Sequence, residues 1–171
     1  MEISIDPSAV GAVGLLEPDG CAAVATRVAV LIDVDALDRE GPGEAVLLWR
    51  SGDSEAWLNT WWQPRDSGYH DHDGSGGGVH VIEGEVVGEY LQVERPRRVT
   101  RFVAGDSFSF AGDRVHRVDH LAGAVTVHVY SPPLRSIGHY ELVDGELRRE
   151  PLSPDEASPP SAALTEALEG R

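Results

Sequence analysis

Lysine is absent from this chain of 171 residues, so its 14 bases are all arginine, and 29 acids outweigh them to a formal net charge of -15. An acidic surface of this kind repels phosphate backbones and anionic headgroups, which argues against nucleic acid and membrane partners. Cysteine is almost absent. With Cys21 alone, no intramolecular disulfide and no thiolate metal cluster can form, and Cys21 reads as a small buried hydrophobe near a helix start rather than a reactive thiol. The opening MEISIDPSAVGAVGLL has no basic n-region and no apolar run long enough to export or anchor a chain. A reducing cytoplasm is the expected location. Repeats of roughly 20 to 50 residues are missing too, which sets solenoids and propellers aside.

What is present is ordinary globular composition, 41% hydrophobic and 25% charged, in a length that suits one domain with one core. Three segments are expected: an arm and helix over 1–44, a barrel over 45–150 and a Pro-rich tail over 151–171. Apolar residues recur at three and four from Cys21 to Arg39, with Asp19 placed to cap a helix there, although the β-branched run VAVLIDV also suits a strand. From Ala45 to Arg149 the texture becomes short alternating stretches (AVLLWR, AWLNTWW, VHVIEG, RRVTRFV, DSFSF, AVTVHVY) between Gly, Pro and Asp turns. That spacing predicts an all-β antiparallel sandwich or barrel.

The strongest local signal is Tyr69-His70-Asp71-His72. Histidines at i and i+2 of a strand share one face of the sheet, and two neutral imidazoles there are half a site for iron, nickel, copper or zinc. His116 is the third candidate ligand, 46 residues past His70, after Gly105-Asp106 and Gly112-Asp113 turns read as bracketing a strand that ends at the histidine. An HxH pair alone is weak evidence; the pair, its glycines and the second Gly-Asp-turn histidine together are far more specific.

At these residues a resemblance emerges. GYHDHDGSGGGVHVIEG from Gly68 to Gly84 resembles the first cupin motif, and GDSFSFAGDRVH from Gly105 to His116 the second. Arg50, twenty residues before HDH, with GDxFxFxGDxxHR and VTVHVYSPPLR, makes Leu47 to Arg135 similar to the cysteine dioxygenase family. The resemblance implies a cupin jelly-roll β-barrel with one or two peripheral N-terminal helices, and Fe(II) held by His70, His72 and His116. Gly76-Gly77-Gly78 stands where many cupins carry a glutamate ligand. The implied reaction adds both atoms of O2 to the sulfur of a small thiol to give a sulfinic acid, the metal first favouring the thiolate over the thiol.

The same resemblance implies roles for further residues. Arg50 would grip the carboxylate of a cysteine-like substrate with paired hydrogen bonds. Tyr130, His128 and Thr126 would form a hydroxyl–imidazole–phenol relay, with the Tyr130 hydroxyl facing substrate. Ser131-Pro132 resembles the family's cis peptide. Gly77 occupies the position of a cysteine that in some members crosslinks to the relay tyrosine, and Leu48 replaces a tyrosine that helps bind cysteine in the animal enzymes. Trp57, Trp61 and Trp62 read as barrel filling, or as an indole face for a cationic thiol. His120 reads as a possible orienting group, His139 as structural and His80 as open. Substrates to weigh are cysteine, 3-mercaptopropionate and an ergothioneine-like thioimidazole. Outside that class stand a cupin that binds a metabolite without redox turnover and a metal-dependent isomerase or hydrolase. The expected partners are the thiol and O2, in a monomer or small homo-oligomer.

Overall fold

The computed structural model describes residues 3–91, 98–143 and 146–152. Its strands form two antiparallel sheets. One runs β1 (Ala45–Arg50), β2 (Glu55–Trp61), β10 (Ala124–Ser131), β5 (Gly76–Glu83), β8 (Ser107–Phe110). The other runs β12 (Glu146–Leu152), β11 (Ile137–Val143), β4 (Tyr69–Asp71), β9 (His116–His120), β6 (Glu85–Tyr90), β7 (Arg98–Val103), with the two-residue β3 (Arg65–Asp66) also paired to β9.

Period-two alternation assigns the faces. On β10, Val125, Val127 and Val129 point outward into a hydrophobic core that Ala56 and Leu58 of β2 share with Cys21, Val24, Ala25 and Val28 of the α-helix α1 (Pro18–Ala29). Thr126, His128 and Tyr130 alternate with those valines and face the interior between the sheets. The glycine run of β5 lets the helix close on this sheet. A Cβ on Gly78 would sit 2.0 Å from the backbone nitrogen of Ala22, so only glycine admits α1 at that depth.

Two expectations from the sequence are corrected. The helix does not reach Arg39: it starts at Pro18 after Glu17, with Asp19 inside its first turn rather than at the cap, and ends at Ala29. The stretch beyond is rich in β-branched residues that lose side-chain freedom in a helix. There Asp33 turns its carboxylate to the Asp35 amide and starts a short 3₁₀ turn, Val34–Ala36. Nor does a strand end at His116. Strand β8 stops at Phe110, the chain turns with Gly112 against Gly74, and His116 opens β9. The tail expected from Pro151 lies, from residue 153 on, outside the described residues. Among the described residues no helix is long and apolar enough to cross a membrane.

Cys21 is fully buried in α1, and burial pushes its thiol up to about 11. It packs as a hydrophobe.

Candidate metal centre

Antiparallel pairing places His70 of β4 directly opposite His116 of β9, and His72 follows one residue beyond the end of β4. The three rings converge on one point. Their centroids are 4.6 to 5.0 Å apart, and one nitrogen from each lies within 4.8 Å of the others.

Backbone carbonyls orient two of the three rings. His70 Nδ1 is 3.0 Å from the Gly68 carbonyl and His116 Nδ1 is 3.0 Å from the Arg114 carbonyl. A carbonyl only accepts, so both Nδ1 atoms carry the proton and both Nε2 lone pairs are free to bind a cation. Burial keeps the rings uncharged: His70 is pulled down to about 4 and His116 to about 3, in each case chiefly by loss of solvent, and His72 falls well below its usual range for the same reason. His72 also has a buried Nδ1 with no hydrogen-bond partner. Three neutral, buried imidazoles, two of them with prearranged lone pairs, fit a first-row transition metal better than they fit one another.

Asp71, between the two β4 histidines, faces away from the triad. Arg149 of β12 grips it through two nitrogens at 2.8 and 2.9 Å, and the Tyr140 hydroxyl of β11 donates to it at 2.5 Å. Burial opposes its ionisation, but these donors hold its carboxyl well below the usual range. Strand β4 is thereby fixed from behind.

The triad opens into a cavity of ≈ 570 Å³ between the sheets. On its wall the hydrogen bonds of β10 form a chain: Trp61 Nε1 to Thr126 Oγ1 at 3.1 Å, Thr126 Oγ1 to His128 Nε2 at 3.0 Å, His128 Nδ1 to Tyr130 Oη at 3.1 Å. The indole N–H can only donate, so Thr126 accepts there; the fully buried Thr126 hydroxyl has His128 Nε2 as its one acceptor among the described residues, and giving its proton there leaves the imidazole proton on Nδ1 to be donated to Tyr130. The Tyr130 hydroxyl proton is then free to point into the cavity. Burial depresses His128 to about 3 and raises Tyr130 above its ordinary value, so both stay neutral at neutral pH. Tyr130 is paired with Gly77, where a Cβ would lie 3.1 Å from the tyrosine ring and 2.4 Å from the Phe110 ring. Phe110 fills the space a side chain at 77 would need. Ser131-Pro132 is cis.

The structure does not bring every expected residue to the cavity. Arg50 is absent from its lining. The Arg50 side chain is about half-exposed, gives Nε to the buried Glu55 carboxylate at 2.6 Å and carries its guanidinium 5.9 Å from the Trp57 ring. Leu48 is buried in the core under the helix. Trp57 and Trp61 line the cavity, whereas Trp62 faces the other way and donates to the Asp38 carbonyl. His80 bonds Ser107 on the outer side. His139 stands opposite His70 in register, its ring 6.1 Å away, and lines the cavity with Phe110. His139, Phe110, Asn59 and Arg65 reach the cavity lining without a local signal in the sequence, because their neighbours come from strands distant in the chain.

Two facing antiparallel sheets enclosing a histidine triad, with HxH on one strand and the third histidine opening another, make this protein a cupin. Residues 33–142 match the family described as Cysteine dioxygenase type I, and the chain belongs to that family. Similar solved structures include KdgF from Halomonas sp. (20% identity, 56% of this chain and 84% of that one, TM-score 0.46). They also include the TT1209 protein of Thermus thermophilus (20% identity, 60% and 96%, TM-score 0.49) and a cupin protein from Desulfovibrio desulfuricans (17% identity, 60% and 94%, TM-score 0.48). No curated protein sequence matches.

Proposed function

We propose that the chain is a non-heme iron thiol dioxygenase, with Fe(II) held by His70, His72 and His116 and a thiol as the substrate to which both atoms of O2 are added. The observation that carries this reading is the meeting, at one cavity, of three neutral imidazoles, two of them oriented by backbone carbonyls, with the Thr126–His128–Tyr130 chain. A passive metal or metabolite binder has no use for a buried phenol whose proton is aimed at the metal side.

Iron in this site would favour the thiolate form of a bound thiol and pass electrons from its sulfur to dioxygen, the sulfur losing four electrons as both oxygen atoms are added. The protein's own part is positional. Uncharged ligands leave the cation its full charge to attract a thiolate, and the dry wall strengthens every electrostatic contact inside. Tyr130 offers a hydroxyl proton toward the reacting atoms, with His128 and Thr126 holding it in place and Trp61 fixing the direction of the chain. The product is a sulfinic acid. A reducing cytoplasm suits both a ferrous centre and a free thiol.

Two variants separate metal binding from chemistry. His116→Ala is expected to lose iron on desalting, measured by elemental analysis, whereas Tyr130→Phe keeps iron but turns over at least tenfold more slowly, with oxygen consumed in excess of sulfinate formed. Full iron in His116→Ala would refute the ligand assignment.

A further inference from the structure

One end of the cavity is polar, buried and unsatisfied. His120 sits four residues beyond His116 on β9, roughly 13 Å along the strand, and is 4% exposed. Its ring stacks on Trp61 at 3.7 Å, and neither ring nitrogen has a hydrogen-bond partner. Burial holds the ring well below its ordinary range and so neutral, opposed weakly by the nearby Arg65 backbone, which lies outside hydrogen-bond geometry. Asn59, 3% exposed, has an unpartnered Oδ1 on the same cavity.

Arg65 completes the group. It is the direct cross-strand partner of His120, so its side chain projects to the same inner face, and it lines the cavity with a buried, unpartnered Nη2. In a chain with 29 acids, no carboxylate among the described residues pairs with it. Its neighbour Asp66 is engaged by Arg117 at 2.7 Å. Burying part of a guanidinium without a counter-charge is costly, and an anionic group on a ligand would offset that cost. Arg50 already has Glu55 as its counter-ion and lies off the cavity.

We propose that Arg65, with His120 and Asn59, forms the carboxylate-binding end of the cavity and selects thiol acids in which the carboxylate lies far from the sulfur. This rests on the sulfur being held at the histidine triad. Cysteine and 3-mercaptopropionate have only three bonds between sulfur and carboxylate carbon, a reach of roughly 4 Å at about 1.5 Å per bond. That is well short of the roughly 13 Å of strand separating His116 from His120. A cavity of ≈ 570 Å³ falls among those that enclose ligands of roughly drug size.

A molecular ruler tests the assignment. The ferrous protein is titrated calorimetrically, without oxygen, with 3-mercaptopropionate, 6-mercaptohexanoate, 8-mercaptooctanoate and 11-mercaptoundecanoate, each against the mercaptoalcohol of equal length. Comparing acid with alcohol removes the affinity that added methylenes bring by themselves. The acid-to-alcohol affinity ratio is expected to be near one for the shortest pair and to rise at least tenfold at the length that reaches Arg65. In Arg65→Gln it falls back to near one, Arg65→Lys retains part of it, and Arg50→Gln leaves it unchanged. A ratio that ignores chain length, survives Arg65→Gln or collapses in Arg50→Gln overturns the proposal. Octanoate, which has no thiol, is run alongside. Arg65-dependent octanoate binding without tighter binding of the thiol acids upholds the carboxylate end and refutes thiolate capture at the triad, whereas loss of Arg65 dependence in both arms refutes the carboxylate end itself.

Discussion

Thr126 is a small residue with two obligations, since its hydroxyl accepts from the Trp61 indole and donates to His128 Nε2. Thr126→Val preserves the shape and leaves both neighbours unsatisfied in a fully buried place, at a cost of about 1–3 kcal/mol. Chemical denaturation should show that loss, turnover should fall, and iron content should stay unchanged. Thr126→Ser should restore both properties, and a valine variant as stable as the parent would contradict the proton assignment. Such residues differ in how far the sequence reveals them. The VTVHVY alternation makes a shared face for Thr126, His128 and Tyr130 readable, because it depends only on the local period of a strand. Arg65 and His120 carry no local signal. They meet because β3 and β9 pair in a particular register, and a one-residue slip would have turned Arg65 to solvent. The Arg50–Glu55 hydrogen bond is likewise set by the β1–β2 pairing, which the local sequence does not display.

At the scale of elements, the decisive piece is the short strand β4, which carries His70 and leads into His72. Three residues make few ladder hydrogen bonds, so its position depends on Asp71 being held by Arg149 and Tyr140. Arg149→Ala removes the fork and leaves the Asp71 carboxylate only the Tyr140 hydroxyl and the Asp73 amide as donors. It is expected to weaken iron binding about tenfold, in the range typical of groups that support metal ligands, with little change in the wall around Tyr130. Competition with a chelator measures this, and an unchanged iron affinity would show that β4 holds itself. Element types were largely legible from alternation and turns, since most of the expected strands are present. Boundaries were less so. The helix stops where β-branched residues and an Asx-type turn compete with it, and the turn between β8 and β9 depends on Gly112 touching Gly74, a contact between distant segments.

Across the whole molecule, the interior histidines link stability to pH. His70, ordinarily near 6.5, is held at about 4 and His116 and His128 at about 3, mainly by burial. As pH falls below 6.5 the unfolded chain takes up these protons before the folded one does. Their contribution to stability is therefore complete above about pH 6.5 and is lost progressively as pH drops toward the folded values. The denaturation midpoint of the metal-free protein should decline steadily from pH 7 to pH 5, and a flat profile would mean the rings are solvated. The same dry interior that disfavours protons prepares a place for a cation, a thiolate and dioxygen. The most direct test supplies the ferrous protein with a thiol acid and isotopically labelled dioxygen, and reads the product by mass spectrometry. The account predicts a sulfinate carrying both labelled atoms, formed one for one with oxygen consumed; a disulfide with hydrogen peroxide, or a product labelled from water, would contradict it.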